Sequence, residues 1–282
     1  MTWTGVDGSV WRLTKPGAPN PRMAPGVKGL HMPKMIVHKS SSPLVPGVDI
    51  DDGYELPERS VYWPLLFRAR SSEEWQEDHA GFFRSFHPVR TGIWTVGEGR
   101  QARTLPLTGS FDGGYVFPHD PFLTRLALIG VELTAPRPLW RGVPITQKFS
   151  GPSTRPFIPL GGGPPYYIAP GATFQDAKIA NPGDEPSYLT WEVEGPQPAG
   201  IKLGVGEALI EVPFAIAEGS KLSINTNPAE QYATLDGVDC ARDLGFQIFA
   251  PIPAGGEVNL VIISDGEGSI RATHVPLYWM AF

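Results

Sequence analysis

The chain of 282 residues contains one cysteine, Cys240, so no disulfide can form within it. That suits synthesis in the cytoplasm, and a lone cysteine reads as a small buried apolar side chain. No apolar run reaches the about 18 residues of a membrane-spanning helix. The opening MTWTGVDGSVWRL has neither the basic start nor the continuous apolar stretch of a signal peptide. Charged residues make up only 18 % and hydrophobic ones 41 %, a soluble globular composition with less charge than average. Long helical patterns are also scarce. In their place stand 33 glycines and 31 prolines, which suit many turns and short strands.

The charge is unevenly spread. Residues 1–150 carry 17 Lys and Arg against 14 Asp and Glu, and residues 151–282 carry 6 against 15. Five of the six histidines and six of the eight tryptophans fall in the first half. Such a shift predicts two domains. It also argues against nucleic-acid binding by the acidic half, because phosphate contacts need clustered cations.

Along the chain, Asp7-Gly8 predicts a two-residue turn between two short strands that carry Trp3 and Trp11. HMPKMIVHKSSS alternates weakly and predicts a strand. In RSVYWPLLFRAR, Val61, Trp63, Leu65 and Phe67 share one strand face, and Pro64 favours an edge or a bulge. SSEEWQEDHAGFFRSFHP predicts the one convincing helix. Ser71 and Glu74 form a capping box, and Trp75, His79, Phe82, Phe83 and Phe86 recur at helical spacing. His79 on that face reads as a core-edge histidine. GIWTVGEG, RQARTLPLTG, GGYVF and FLTRLALIGVELTAPRPLW read as further strands. A Pro/Gly-rich linker spans 149–172 and separates a domain at 1–148 from one at 173–282. The latter shows seven or eight short strands with turns about every ten residues, the pattern of an antiparallel β-sandwich. The residues therefore point to a mainly β fold class, with one helix in the first half and an antiparallel β-sandwich in the second.

Most tests for chemistry fail. No Gly-x-Ser-x-Gly elbow occurs, and no His-x-x-x-His pair offers zinc ligands. Gly161 to Gly163 is not followed by the Lys-Ser/Thr of a phosphate loop. Asp49-Ile50-Asp51-Asp52-Gly53 starts like a calcium loop but has Gly53 at the fifth position and Ser60 at the twelfth, so it reads as an acidic turn. Glu192 and Glu194 alternate with Trp191 and Val193 and read as the solvated face of a strand. In NPGDEPS, Asn181, Asp184 and Glu185 surround a glycine. Pro182 fixing φ and Gly183 supplying a positive φ predict a turn there. No catalytic, cofactor-binding or metal residues are assigned. Tyr166, Tyr167 and Tyr188 are the candidates for glycan contact, since sugar-binding sandwiches stack ligands on exposed aromatics.

The order of these features resembles the distal tail protein, a minor tail protein of long-tailed bacteriophages, particularly those of actinobacteria. The carrying stretches are GVDGSVWRL, APGVKGL, SSEEWQEDHAGFFRSFHP, GIWTVGEGRQARTLPL and APRPLWRG in the first half. IANPGDEPSYLTWEVEGP, LSINTNPAEQYATLDGVD and IPAGGEVNLVII carry it in the second. The resemblance covers nearly the whole chain and rests on succession rather than on one specific motif. It implies a structural, non-enzymatic virion protein without cofactors. It also implies a homohexameric ring that joins the tail tube to the baseplate or tip, built by an N-terminal β-sandwich with one helix, with a galectin-like or carbohydrate-binding-module-like antiparallel β-sandwich as the outer, C-terminal domain. The implied partners are the tail tube protein, the tail-associated hub protein and the tape-measure protein. DNA would pass through the channel without specific binding, and no membrane insertion is implied. The alternative expectation is a carbohydrate-binding module or a receptor-binding protein.

Overall fold

A computed structural model describes residues 1–14, 20–44, 46–109, 115–150, 172–173 and 177–282. The chain divides into two compact units. The first holds Met1–Val143 and Tyr278–Phe282, and the second holds Pro144–Leu277. The strand Ile145–Ser150 pairs along its whole length with Ser269–His274 and so belongs to the second unit, although sequence placed the linker at 149. The last five residues belong to the first unit. Both units are mainly β.

The first unit is built from β1 (Thr2–Thr4), β2 (Val10–Arg12), β3 (Arg22–Met23), β4 (Ile36–Ser40), β5 (Asp49–Glu55), β6 (Arg59–Arg68), β7 (Gly92–Val96), β8 (Arg103–Gly109), β9 (Leu126–Ala135) and β10 (Trp140–Arg141). Its helices are α1 (Ser72–Arg84) and the short α2 (Pro121–Thr124). The main sheet runs β2-β1-β7-β8-β9-β6-β3, while β4 and β5 pair only with each other among the described residues.

The longest register is β6 on β9, from Arg59 opposite Ala135 to Arg68 opposite Leu126. Its alternation buries Val61, Trp63, Leu65 and Phe67. Pro64 is tolerated because its carbonyl, and with it the missing N–H, faces away from β9. There, residues 24–27 leave the sheet and only Ala24 N–H donates to the Pro64 carbonyl, at 2.7 Å.

Tryptophans dominate this core. Trp63 lies edge-on to Trp3 and Trp94, with ring centroids 5.4 and 5.2 Å apart, and Trp94 continues to Trp140 at 4.9 Å. Such tilted pairs suit the ring quadrupoles. Gly92 is a glycine for space: a Cβ there would lie 2.3 Å from the Trp3 ring. The α1 helix starts as expected, with Ser71 Oγ accepting from Glu74 N–H at 3.1 Å. Glu74 returns its bond to Arg70 N–H rather than to the cap residue. The helix buries Trp75 and Phe82, and Phe86 follows just past its end.

The C-terminal residues are fastened to the first unit by two arginines. Arg59 is buried, and its guanidinium donates to the carbonyls of Gly29, His31, Pro138 and Trp279 at 2.7–2.8 Å. Burial pulls its pKa down to about 10. Arg103 donates to the Met280 carbonyl at 2.7 Å and lies 3.6 Å from the centre of the Tyr278 ring.

The second unit contains β11 (Ile145–Ser150), β12 (Ala172–Thr173), β13 (Lys178–Asn181), β14 (Leu189–Glu194), β15 (Ile201–Val205), β16 (Ala208–Val212), β17 (Lys221–Asn225), β18 (Tyr232–Leu235), β19 (Val238–Asp239), β20 (Gly256–Ile263) and β21 (Ser269–His274), with the short helix α3 (Ala241–Leu244). One sheet runs β12-β11-β21-β14-β17-β18-β19 and the other β13-β20-β15-β16. Their alternating apolar faces make one core that includes Phe149, Ile179, Trp191, Leu203, Ile224 and Ile270. The turn between β18 and β19 is the expected Asp236-Gly237, both residues at positive φ.

Three local readings need correction. The acidic stretch from Asp49 is strand β5, not a turn. The Asp7-Gly8 hairpin closes through five residues, because Thr4 pairs with Val10. Tyr115 to Phe117 form no strand and follow the chain into α2.

Candidate functional site

The NPGDEPS loop is held by its own asparagine. Asn181 is buried, its amide nitrogen donates to the carbonyls of Glu185, Ile252 and Pro253, and its oxygen accepts from Gly183 N–H at 3.0 Å. Gly183 does not take a positive φ. It is glycine because a Cβ would lie 2.7 Å from the Leu277 carbonyl. No group of three His, Cys, Asp or Glu side chains with metal-binding placement occurs among the described residues.

At the end of this loop, Ser187 Oγ and His274 Nδ1 lie 2.7 Å apart, while His274 Nε2 is 3.0 Å from the Ala180 carbonyl. The carbonyl can only accept, so Nε2 carries the proton and the serine hydroxyl donates to Nδ1. Burial pulls the His274 pKa down. With both side chains buried, His274 ties Ser187 in the loop and the Ala180 carbonyl of β13 to β21 instead of serving an exposed nucleophile.

Glu192 accepts from Lys221 Nζ and from Arg271 Nη1, the latter at 2.6 Å, and Glu194 accepts from Ser269 Oγ at 2.6 Å. The Lys221 hydrogen bond, with Arg271, lowers the Glu192 pKa, and the Ser269 bond does so for Glu194. Two carboxyls held ionised are unlike the acid–base pair of a glycosidase, which needs one of them raised. These side chains belong to a polar sheet face. Thr146, Thr273, Thr190, Asn225 and Tyr232 lie side by side across five strands, and Lys148, Arg271, Glu192, Ser223 and Thr234 form the next row. Of the tyrosines proposed for glycan contact, Tyr188 is half-buried just before β14, and Tyr166 and Tyr167 lie outside the described residues.

The first unit presents two surfaces that sequence reading did not single out. One is the β4–β5 arm. Every residue of β4 is exposed, and Leu44, between the strands, is 92 % exposed. Register gives the arm unlike faces. Val37 lies opposite Tyr54 and Lys39 opposite Ile50, while His38 and Glu55 meet at 3.2 Å. A lone two-stranded hairpin is marginal in water.

The other surface is a groove of about 570 Å³ between α1 and α2, lined by Trp75, Gln76, His79, Phe117, Asp120 and Phe122 among others. Its walls are tied locally. Ser72 Oγ donates to the Phe122 carbonyl at 2.7 Å, Asp120 caps α2 through Phe122 N–H at 2.8 Å, and Tyr115 Oη donates to the Leu128 carbonyl at 3.0 Å. His79 stacks on Trp75 at 4.8 Å, and burial pulls its pKa down. It is the core-edge histidine expected. Val116, Leu123, Leu126 and Leu128 are exposed along the same segment. Their exposure makes this segment a candidate interaction surface.

No protein-family model matches the chain, and no curated protein sequence does. Solved structures do match. The crystal structure of SPP1 Dit (gp 19.1), described as a paradigm of the hub adsorption apparatus in phages that infect Gram-positive bacteria, superposes with a TM-score of 0.64. The two are 12 % identical, and the match covers 90 % of this chain and 92 % of that one. The chain shares its fold with phage hub proteins. The phage P2 baseplate in its activated conformation with Ca gives a TM-score of 0.53 at 11 % identity, over 96 % of both chains. The corresponding baseplate structure with Sr gives 0.50 at 12 % identity, again over 96 % of both. The likeness spans both units, and these neighbours are structural components of the phage tail end.

Proposed function

We propose that this chain is a structural virion protein of the distal tail, a minor tail protein that joins the tail tube to the baseplate or tip as a homohexameric ring. The observation that carries the reading is the shared fold with hub and baseplate proteins over nine-tenths or more of each chain. The sequence resemblance to distal tail proteins of actinobacterial phages adds the ring and its partners: the tail tube protein, the tail-associated hub protein and the tape-measure protein. The first unit, with its exposed arm and aromatic groove, supplies the ring contacts. The ring passes DNA without holding it, which the small charge excess of residues 1–150 favours, since strong phosphate binding would slow passage. The role needs neither catalysis nor a cofactor. Size-exclusion chromatography with light scattering tests it: a mass six times the 30.6 kDa of the chain is expected. A monomer at all concentrations overturns the ring.

A second reading concerns the second unit, as a galectin-like sandwich or carbohydrate-binding module that touches the host surface. Its support is the polar sheet face that ends at the half-exposed Tyr232. A glycan array with the parent chain, Tyr188→Ala and Tyr232→Ala tests it, and no binding by the parent rejects it.

A further inference from the structure

We propose that the outward face of β6 and β9 in the first unit carries a saccharide site, in which a neutral sugar stacks on Tyr62 and its hydroxyls bond to Lys28, Ser60, Glu132 and Thr134. These five side chains line a pocket of about 350 Å³. The site lies in a different unit from the sandwich of the second reading, and it rests neither on that reading nor on the hexameric ring. Register sets the layout. Ser60 lies opposite Thr134, and Tyr62 lies between Glu132 of β9 and Lys28, which bridges to it from the other side. Opposite residues sit about 5 Å apart, and the two rows about 7 Å apart. The four positions on β6 and β9 therefore frame the footprint of one sugar unit, with Lys28 at its edge.

The aromatic platform is fixed in place. Gly130, two residues before Glu132, leaves the room it needs: a Cβ there would lie 2.4 Å from Tyr62 Oη and 2.8 Å from the ring edge. The Lys28 ammonium stands 5.8 Å from the ring centre. The polar groups beside it are unpaired. Among the described residues, the side chains of Ser60, Glu132 and Thr134 make no hydrogen bond or ion pair, and Lys28 has only the Tyr62 ring. The polar face of the second unit is the contrast, because there Glu192 is bonded to both Lys221 and Arg271. What the pocket offers selects the class of ligand. An anion that meets Lys28 also meets Glu132, and a cation meets the reverse, so charge favours neither. The ammonium only donates, the carboxylate only accepts, and the two hydroxyls do both. A ligand that donates and accepts at several neighbouring positions, and offers an apolar face to an aromatic ring, is a sugar. A few convergent polar groups around such a platform, in a pocket of this size, suit a small molecule.

The experiment titrates the full-length chain with four neutral disaccharides (maltose, cellobiose, lactose and diacetylchitobiose) and with glycine as a small zwitterion, followed by saturation-transfer NMR. At least one disaccharide is expected to bind with a Kd of about 1 mM or tighter. Glu132→Gln and Tyr62→Ala are each expected to weaken that binding about 10-fold or more, while Tyr62→Phe keeps the platform and stays within about 3-fold. Glu132 is exposed, so its variant is expected to keep the parent's melting temperature and separates a lost contact from a lost fold. Tyr188→Ala and Tyr232→Ala in the second unit are expected to leave the affinity unchanged. No binding of any disaccharide, tighter binding of glycine, or binding that survives Glu132→Gln and Tyr62→Ala overturns the site. Loss of binding in Tyr188→Ala or Tyr232→Ala also overturns it, since the sugar would then sit on the second unit.

Discussion

The two units bury their interiors in different ways and finish their surfaces differently. The first stacks tryptophans in its core and leaves apolar side chains exposed on the arm and along residues 115–128. The second interleaves mostly aliphatic side chains between two sheets and covers one sheet face with rows of threonine, serine and paired charges. Among the described residues, its exposed large apolar side chains are Tyr232, Val238, Phe246, Ile248 and Ile263. A surface with scattered apolar residues and many polar rows is finished for water. A surface with a ribbon and a groove is finished for a partner. By this comparison the surfaces proposed for ring contacts lie in the first unit.

The largest expected effect falls on the first unit alone. Trp63→Ala empties the centre of the tryptophan cluster and is expected to cost about 3–5 kcal/mol. Denaturant unfolding followed by tryptophan fluorescence should show an early first transition and an unmoved second one. Equal shifts in both would contradict the division. Next comes Arg59→Ala, which takes the shared donor from four carbonyls and should cost about 2–3 kcal/mol. The expected sign is faster proteolysis near Tyr278 to Phe282, and unchanged cleavage would mean that Arg59 does not hold this segment.

In the second unit, Gly183→Ala pushes a methyl group against the Leu277 backbone and should cost about 1–3 kcal/mol. A neutral result would show that the loop gives way freely. A pH effect comes after that. The folded pKa of His274 lies below its ordinary value of 6.5. The unfolded chain therefore takes up this proton first as pH falls. Stability from His274 is full at neutral pH and declines from about pH 6.5 downward towards the folded pKa. The melting temperature of the second unit should fall between pH 7.5 and 5.5 in the parent and fall less in His274→Gln. The smallest effect is expected at Lys202 and Glu211, an exposed pair 3.4 Å apart. Lys202→Ala should shift stability by about 1 kcal/mol or less.

What could be read before the structure was local. Ser71, Glu74 and the aromatic spacing declared α1 because caps and helical periodicity involve near neighbours. The Asp236-Gly237 turn was readable for the same reason. The arm was not. Asp49 to Gly53 looks like a turn by composition and becomes a strand only through pairing with β4. The groove was half visible, since Trp75 and His79 were known to share a helix face. Its outer wall at Phe117 and Phe122 depends on α2, a four-residue helix whose signal is the single cap at Asp120. NPGDEPS was correctly read as a connection, but for a partly wrong reason: Asn181 and the nearness of Leu277 hold it, not a positive φ at Gly183.

The most direct test of the proposed role is electron microscopy of the tail tip of the phage proposed to carry this chain. The account predicts six copies in a ring below the tail tube, with the first unit of each copy against its neighbours. A particle that lacks the chain, or a tip in which it stands as isolated single copies, would contradict it.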